Sequence, residues 1–153
     1  MDSARAIEHL LYTYAERVDA GDFAGVGALF EHGAFFGVAG ADAVAALFEQ
    51  TTRRHPVAGT DGPDGPHGPG TPLTQHVVTN AVVEVDEPAG TASCRSRFQV
   101  LQATEILPLQ VIVAGRYRDT FHRLDGAWWF RSRQAHLDLV GDVSQHLLPG
   151  ALP

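Results

Sequence analysis

The sequence predicts an α+β domain, with helices packed on one face of a curved antiparallel sheet. Three observations carry that prediction. Apolar residues recur at helical spacing near the N-terminus, the period changes to two after residue 72, and turn signals then divide the chain into four extended runs. Helices first and strands afterwards, without strand–helix alternation, segregate the helices to one side of the sheet. The 153 residues suit one domain, and 44% hydrophobic with 19% charged residues is a globular composition.

Ile7, Leu10, Leu11, Tyr14, Ala15 and Val18 follow the spacing of an amphipathic first helix, with Asp2 or Ser3 as its N-cap. Gly21 stops it after Asp19, and Asp22 caps a short second helix carrying Phe23, Val26, Leu29 and Phe30. Past the Gly33 break, Ala34–Val38 reads as extended. A third helix spans residues 41–54, with Val44, Leu47 and Phe48 on one side and Arg53-Arg54 near its C-terminal end. Residues 56–72 hold five Pro and five Gly and read as a flexible loop, either an inert insertion or a lid. Strands follow over Thr74–Asp86, Thr91–Thr104, Leu109–Leu124 and Ala127–Asp138. They are separated by Glu87-Pro88-Ala89-Gly90, a break at Pro108 and the hairpin signal Asp125-Gly126.

Charge and residue usage exclude several functions. Eleven basic against eighteen acidic residues give a net charge of −7, which argues against nucleic acid or an anionic membrane as partner. Every basic residue is Arg, so Schiff-base chemistry, pyridoxal phosphate attachment and a P-loop lysine are excluded. Eight His form no HExxH, HxH or CxxC pattern, and no glycine-rich phosphate fingerprint is present. No cofactor and no metal are therefore expected. The single cysteine, Cys94, rules out an internal disulfide and reads as a small buried hydrophobe. With no apolar run of membrane-spanning length and no signal-peptide pattern, the expected location is the cytoplasm.

Two polar residues stand out by position. Asp19 closes the first helix beside its apolar stripe, which fits a carboxylate at the core margin or an ordinary surface Asp near a helix end. His76 opens the first long strand, where alternation puts His76, Val78 and Asn80 on one face and Val77, Thr79 and Ala81 on the other. A hydrogen-bonded strand histidine without a task fits the same pattern. Trp128 and Phe130 alternate with Trp129 and Arg131, so one aromatic pair is expected in the core and the other at an interface or cavity wall. Arg116, Arg118 and Arg123 read as sheet-edge residues or ion-pair residues with Asp119 and Asp125 rather than as an anion site, while His122, His136 and His146 have no partner visible in sequence.

Five segments in this order resemble SnoaL-like proteins of the nuclear-transport-factor-2-like superfamily. They are Val18-Asp19-Ala20-Gly21-Asp22-Phe23, His76-Val77-Val78-Thr79-Asn80, Gly115-Arg116-Tyr117-Arg118-Asp119, Arg123-Leu124-Asp125-Gly126-Ala127-Trp128 and Gly141-Asp142-Val143-Ser144. The resemblance covers essentially the whole chain and implies one domain over residues 1–153. The implied fold is a cone: a strongly bent antiparallel sheet wrapped around a long helix, with an apolar cavity between them. Within the family the chain is most similar to scytalone dehydratases and hexachlorocyclohexane dehydrochlorinases, the latter also in the tail Pro149-Gly150-Ala151-Leu152. Both carry an Asp after the first helix and a His on the first long strand, paired as a general base. The likeness transfers those roles to Asp19 and His76.

The dehydratases' second His has no counterpart in Arg97-Phe98-Gln99-Val100-Leu101, and their Ser and Asn on the third strand fall at Gly115 and Tyr117. Tyr117 is then the candidate phenolic donor to a substrate carbonyl, with Arg97 or Gln99 as a second donor if they face inward. Tyr14 and Asn80 complete the candidate substrate-binding set. The implied function is a cofactor-independent lyase, isomerase or cyclase acting on a small hydrophobic carbonyl or polyketide-like molecule. A noncatalytic ligand carrier or accessory subunit with the same fold is the other reading. Relatives associate through the sheet face, and the Trp-bearing last strand suits a homodimer or homotrimer.

Overall fold

The Asp2 side chain accepts a 2.8 Å hydrogen bond from the Arg5 N–H and so starts helix α1 (Ser3–Asp19). In the computed structural model, which describes residues 1–57 and 69–151, α1 buries Ile7, Leu11, Tyr14, Ala15 and Val18 along one face. Each large apolar side chain so buried contributes roughly 1.5–3 kcal/mol. Gly21, at φ +72°, supplies the left-handed residue that turns the chain after α1. Asp22 caps helix α2 (Phe23–Ala28) through the Gly25 N–H.

The extended stretch at residues 34–38 is two short strands, β1 (Ala34–Phe35) and β2 (Val38–Ala39), paired antiparallel. Phe36 and Gly37 both take positive φ and reverse the chain between them. Helix α3 (Ala41–Thr51) ends before Arg53-Arg54, because Thr52 is extended and bridges to Leu147 instead. Most of the Gly/Pro-rich loop expected over 56–72 lies outside the described residues.

Strands β3 (Thr74–Asp86), β4 (Thr91–Gln102), β5 (Gln110–Leu124) and β6 (Ala127–Val140) form an antiparallel meander. The six-stranded sheet has the order β2-β1-β6-β5-β4-β3, with β1 parallel to β6, and it is curved and unclosed. Its register shifts at Thr79/Val82, Val100/Leu101, Ala114/Gly115 and Thr120/Phe121. An inserted residue bends a strand and increases its twist, which lets the sheet curl around α1.

Rings occupy much of the space between α1 and the sheet. Tyr14 lies with its ring centre 6.1–6.3 Å from those of Phe30, Phe35, Phe48 and Tyr117. Phe98 stacks on Tyr117 at 4.3 Å. Phe130 is in the core, Trp128 is half-buried against it, and Trp129 meets the His32 ring edge-on at 4.7 Å. Gly115 makes the Phe98 stack possible: a Cβ there would stand 2.2 Å from the His136 carbonyl oxygen and 2.9 Å from the Phe98 ring. Gly115→Ala is therefore expected to cost about 1–3 kcal/mol in urea unfolding, the usual range for overpacking. An unchanged midpoint would show that both the His136 carbonyl and the Phe98 ring give way at little cost.

Candidate active site

Asp19 is the last residue of α1, and the turn at Gly21 sets it against the start of β3. Its carboxylate takes three hydrogen bonds from that strand. Oδ1 accepts from Thr74 Oγ1 at 2.8 Å and lies 2.6 Å from His76 Nδ1, while Oδ2 accepts from the His76 backbone N–H at 2.8 Å. The two side chains are 20% and 7% exposed, so the pair sits at the margin of the core rather than in open solvent. A carboxylate on Nδ1 keeps the proton of neutral imidazole there and leaves the Nε2 lone pair free. Among the described residues nothing hydrogen-bonds His76 Nε2. An imidazole held in this way can accept a proton at Nε2 while the carboxylate stabilises the resulting charge.

Tyr14 and Tyr117 both face the interior, as expected. Burial pushes both phenols up, Tyr117 to about 12, so each remains an O–H donor through the neutral range. Arg97, Gln99 and Asn80 do not face the interior. On β4 the buried positions are Ala92, Cys94, Ser96, Phe98, Val100 and Gln102, and Arg97 and Gln99 point out from the other face. Asn80 is also exposed, at φ +54° beside the Thr79/Val82 register shift. The shift reverses the alternation, so that His76 and Val78 face inward before it and Ala81, Val83 and Val85 after it.

Two polar residues that the sequence reading left aside are buried here. Arg133 is fully buried and binds Asp119 in a bidentate pair, Nε to Oδ1 at 2.8 Å and Nη2 to Oδ2 at 2.9 Å. Its guanidinium carbon lies 3.7 Å from the Tyr117 ring centre and 4.4 Å from that of Tyr14, and its buried Nη1 has no partner among the described residues. Burial opposes the charge, but Asp119 outweighs it and keeps the guanidinium protonated. The expected partners of Asp119 lie elsewhere: Arg116 binds Asp138, and Arg123 binds Glu87. The pairing Asp119↔Arg133 was hidden by one extra residue between Phe121↔Phe130 and Thr120↔Ser132.

His146 is the second. It comes from the segment after β6 and rests beside His76, with ring centres 6.1 Å apart. Burial, then the neighbouring His76, pushes its imidazole down from 6.5 to about 4. The unfolded chain therefore binds more protons than the folded one between those values. The stability that His146 confers is complete above about pH 6.5 and declines as pH falls toward 4. His146→Phe should flatten that limb of the Tm–pH curve; an identical limb would contradict the burial.

Two shallow grooves, of about 410 and 420 Å³, lie around Glu84, Ser93 and Thr120, and neither includes Asp19 or His76. Among the described residues no group of three or more His, Cys, Asp or Glu is arranged to hold a metal ion. No described helix is long and apolar enough to cross a membrane. Burial pushes the Cys94 thiol up to about 11, which suits packing rather than reactivity.

Solved structures share this architecture. A protein of unknown function from Mycobacterium tuberculosis aligns with a TM-score of 0.65 and 23% identity, over 90% of this chain and 72% of its own. A candidate scytalone dehydratase from Novosphingobium aromaticivorans aligns with a TM-score of 0.65 and 24% identity, over 91% and 86% of the two chains. A nuclear-transport-factor-2-like protein with a cystatin-like fold, from the same organism, gives 0.64 and 23%, over 88% and 81%. No curated protein matches the chain. The family model described as a SnoaL-like domain matches residues 1–134, and the chain belongs to that family.

Proposed function

We propose that the protein is a cofactor-independent acid–base enzyme that removes a proton from carbon in a small hydrophobic carbonyl compound. That step begins an elimination, an isomerisation or a ring closure. The observation that carries this reading is the 2.6 Å contact between Asp19 Oδ1 and His76 Nδ1, with both carboxylate oxygens committed and, among the described residues, no hydrogen-bond partner on Nε2. A histidine kept only for structure has no need of a carboxylate that fixes its tautomer. The protonated phenols of Tyr14 and Tyr117 supply donors deeper in the same interior. Membership of a family that includes polyketide cyclases and scytalone-dehydratase-like proteins gives independent support.

The test is α-proton exchange in D₂O, followed by ¹H NMR, on a panel of aryl ketones that includes 1-tetralone and acetophenone. The wild-type chain should exceed the buffer rate on at least one ketone, and Gln99→Ala, on the outer face, should match it. Exchange at the buffer rate across the panel overturns the reading.

A noncatalytic ligand-binding module is the second reading, favoured by the ring-filled interior and the separate location of the grooves. It requires ketone binding, seen as a rise in Tm, without exchange.

A further inference from the structure

The segment that follows β6 returns to lie beside His76 and is held there by several hydrogen bonds. The His146 N–H donates to the Val143 carbonyl at 3.0 Å, and its own carbonyl accepts from the Arg53 N–H at 2.8 Å. Leu147 bridges Thr52, and the Gln145 carbonyl accepts from Gln102 Nε2 at 3.0 Å and meets His55 Nε2 at 2.6 Å. These contacts fix the backbone on both sides of the His146 ring. His146 is 8% exposed, and its ring stands at 67° to that of His76, edge toward face, yet among the described residues its buried Nδ1 has no hydrogen-bond partner. A buried polar atom without a partner is costly, and beside the candidate base a substrate oxygen would supply the missing contact.

We propose that His146 is a second catalytic residue, a neutral imidazole whose Nδ1–H donates to the substrate's carbonyl oxygen while His76 Nε2 removes the proton from the adjacent carbon. This rests on the acid–base reading above. As the C–H bond breaks, its electron pair forms the enolate C=C, and the carbonyl π pair moves onto oxygen. The proton goes to His76 Nε2, and Asp19 holds the imidazolium. Negative charge thus grows on the oxygen that His146 faces, and the same steps in reverse return a deuteron from D₂O. Three titratable groups act on His146: His76 and His55 disfavour its protonation, and Asp19 favours it. Burial is larger than any of these, so His146 meets the substrate uncharged and donates without competing for the proton. The substrate class is then carbonyl compounds, ketones among them, that carry an acidic C–H on the carbon next to the carbonyl.

The test uses the full chain and the aryl ketone exchanged fastest by the wild type. His146→Leu should lower kcat for exchange by roughly 10²–10³-fold, the loss typical of one oxyanion donor, with KM changed far less. His146→Asn places an amide N–H near the position of Nδ1 and should recover at least tenfold of that loss, whereas His146→Gln should not. The pH–rate profile should keep its shape in each variant, because the wild-type His146 is already uncharged above about pH 4. Wild-type exchange in His146→Leu, with exchange lost in His76→Ala, overturns the His146 role and leaves the acid–base reading standing. Wild-type exchange in His76→Ala overturns both. If His146→Leu fails to fold, the Asn and Gln variants decide: equal rates overturn the proposal, and a faster Asn variant supports it.

Discussion

His76→Ala is expected to lower the rate of α-proton exchange by roughly 10²–10⁴-fold, the contribution of a positioned general base. At about 1.36 kcal/mol per decade, this is about 3–5 kcal/mol of transition-state stabilisation. Asp19→Asn should lose a comparable factor. The amide keeps the size of the carboxylate but not its charge, and its NH₂ in place of Oδ1 would favour the imidazole tautomer with Nδ1 unprotonated, which blocks Nε2 as a base. The double variant should be little worse than either single one, because both changes disable one unit. Asp19 also binds the Thr74 hydroxyl and the His76 backbone N–H, so its replacement tests structure as well as chemistry. Melting curves separate the two: a rate loss at unchanged Tm is chemical. Additive losses in the double variant would show that the residues act separately.

Asp119→Leu should be the most destabilising single change in the sheet. It strips a fully buried guanidinium of both of its hydrogen-bonded contacts, and an orphaned buried charge typically costs about 3–5 kcal/mol. The rings of Tyr14 and Tyr117 against the guanidinium offset part of that cost. Adding Arg133→Met to Asp119→Leu should restore most of the stability, because a well-packed apolar pair often replaces a buried ion pair without loss. Urea unfolding of the three variants measures this directly. A loss below about 1 kcal/mol in Asp119→Leu would mean that water reaches the guanidinium and solvates it. The aromatic cage also orients the two phenols, so the double variant should fold yet show altered ketone affinity.

The helices were readable from local signals. The spacing of Ile7, Leu11, Tyr14 and Val18 and the caps at Asp2 and Asp22 depend on residues within one or two turns, and α1 and α2 form where those signals lie. Hairpin positions were equally local, since Asp125-Gly126 turns the chain with positive φ at both residues. Asp19 and His76 were found through the family pattern, because their distance in sequence hides a contact made only when α1 lies across β3. Their contact is a property of the fold.

The inward or outward face of a residue was harder to read, and the reason is physical. Alternation assigns faces only while the register is unbroken, and each bulge reverses the parity beyond it. Alternation puts Asn80 on the face of His76, yet it lies outside, within one bulge; Arg133 lies at the centre of the core, beyond another. A bulge is stabilised by the curvature that the whole sheet needs in order to close over α1, so no short stretch of sequence announces it. His146 was hidden for a related reason: what it touches depends on where the chain returns after β6, a path set by Thr51, Thr52 and Arg53 at the far end of α3. The sequence by itself determined where the helices and the four long strands lie, to within a few residues, because those follow from local periodicity and turn chemistry. Only the tertiary structure decided which polar side chains share the interior, because that depends on sheet curvature and on contacts between segments far apart in the chain.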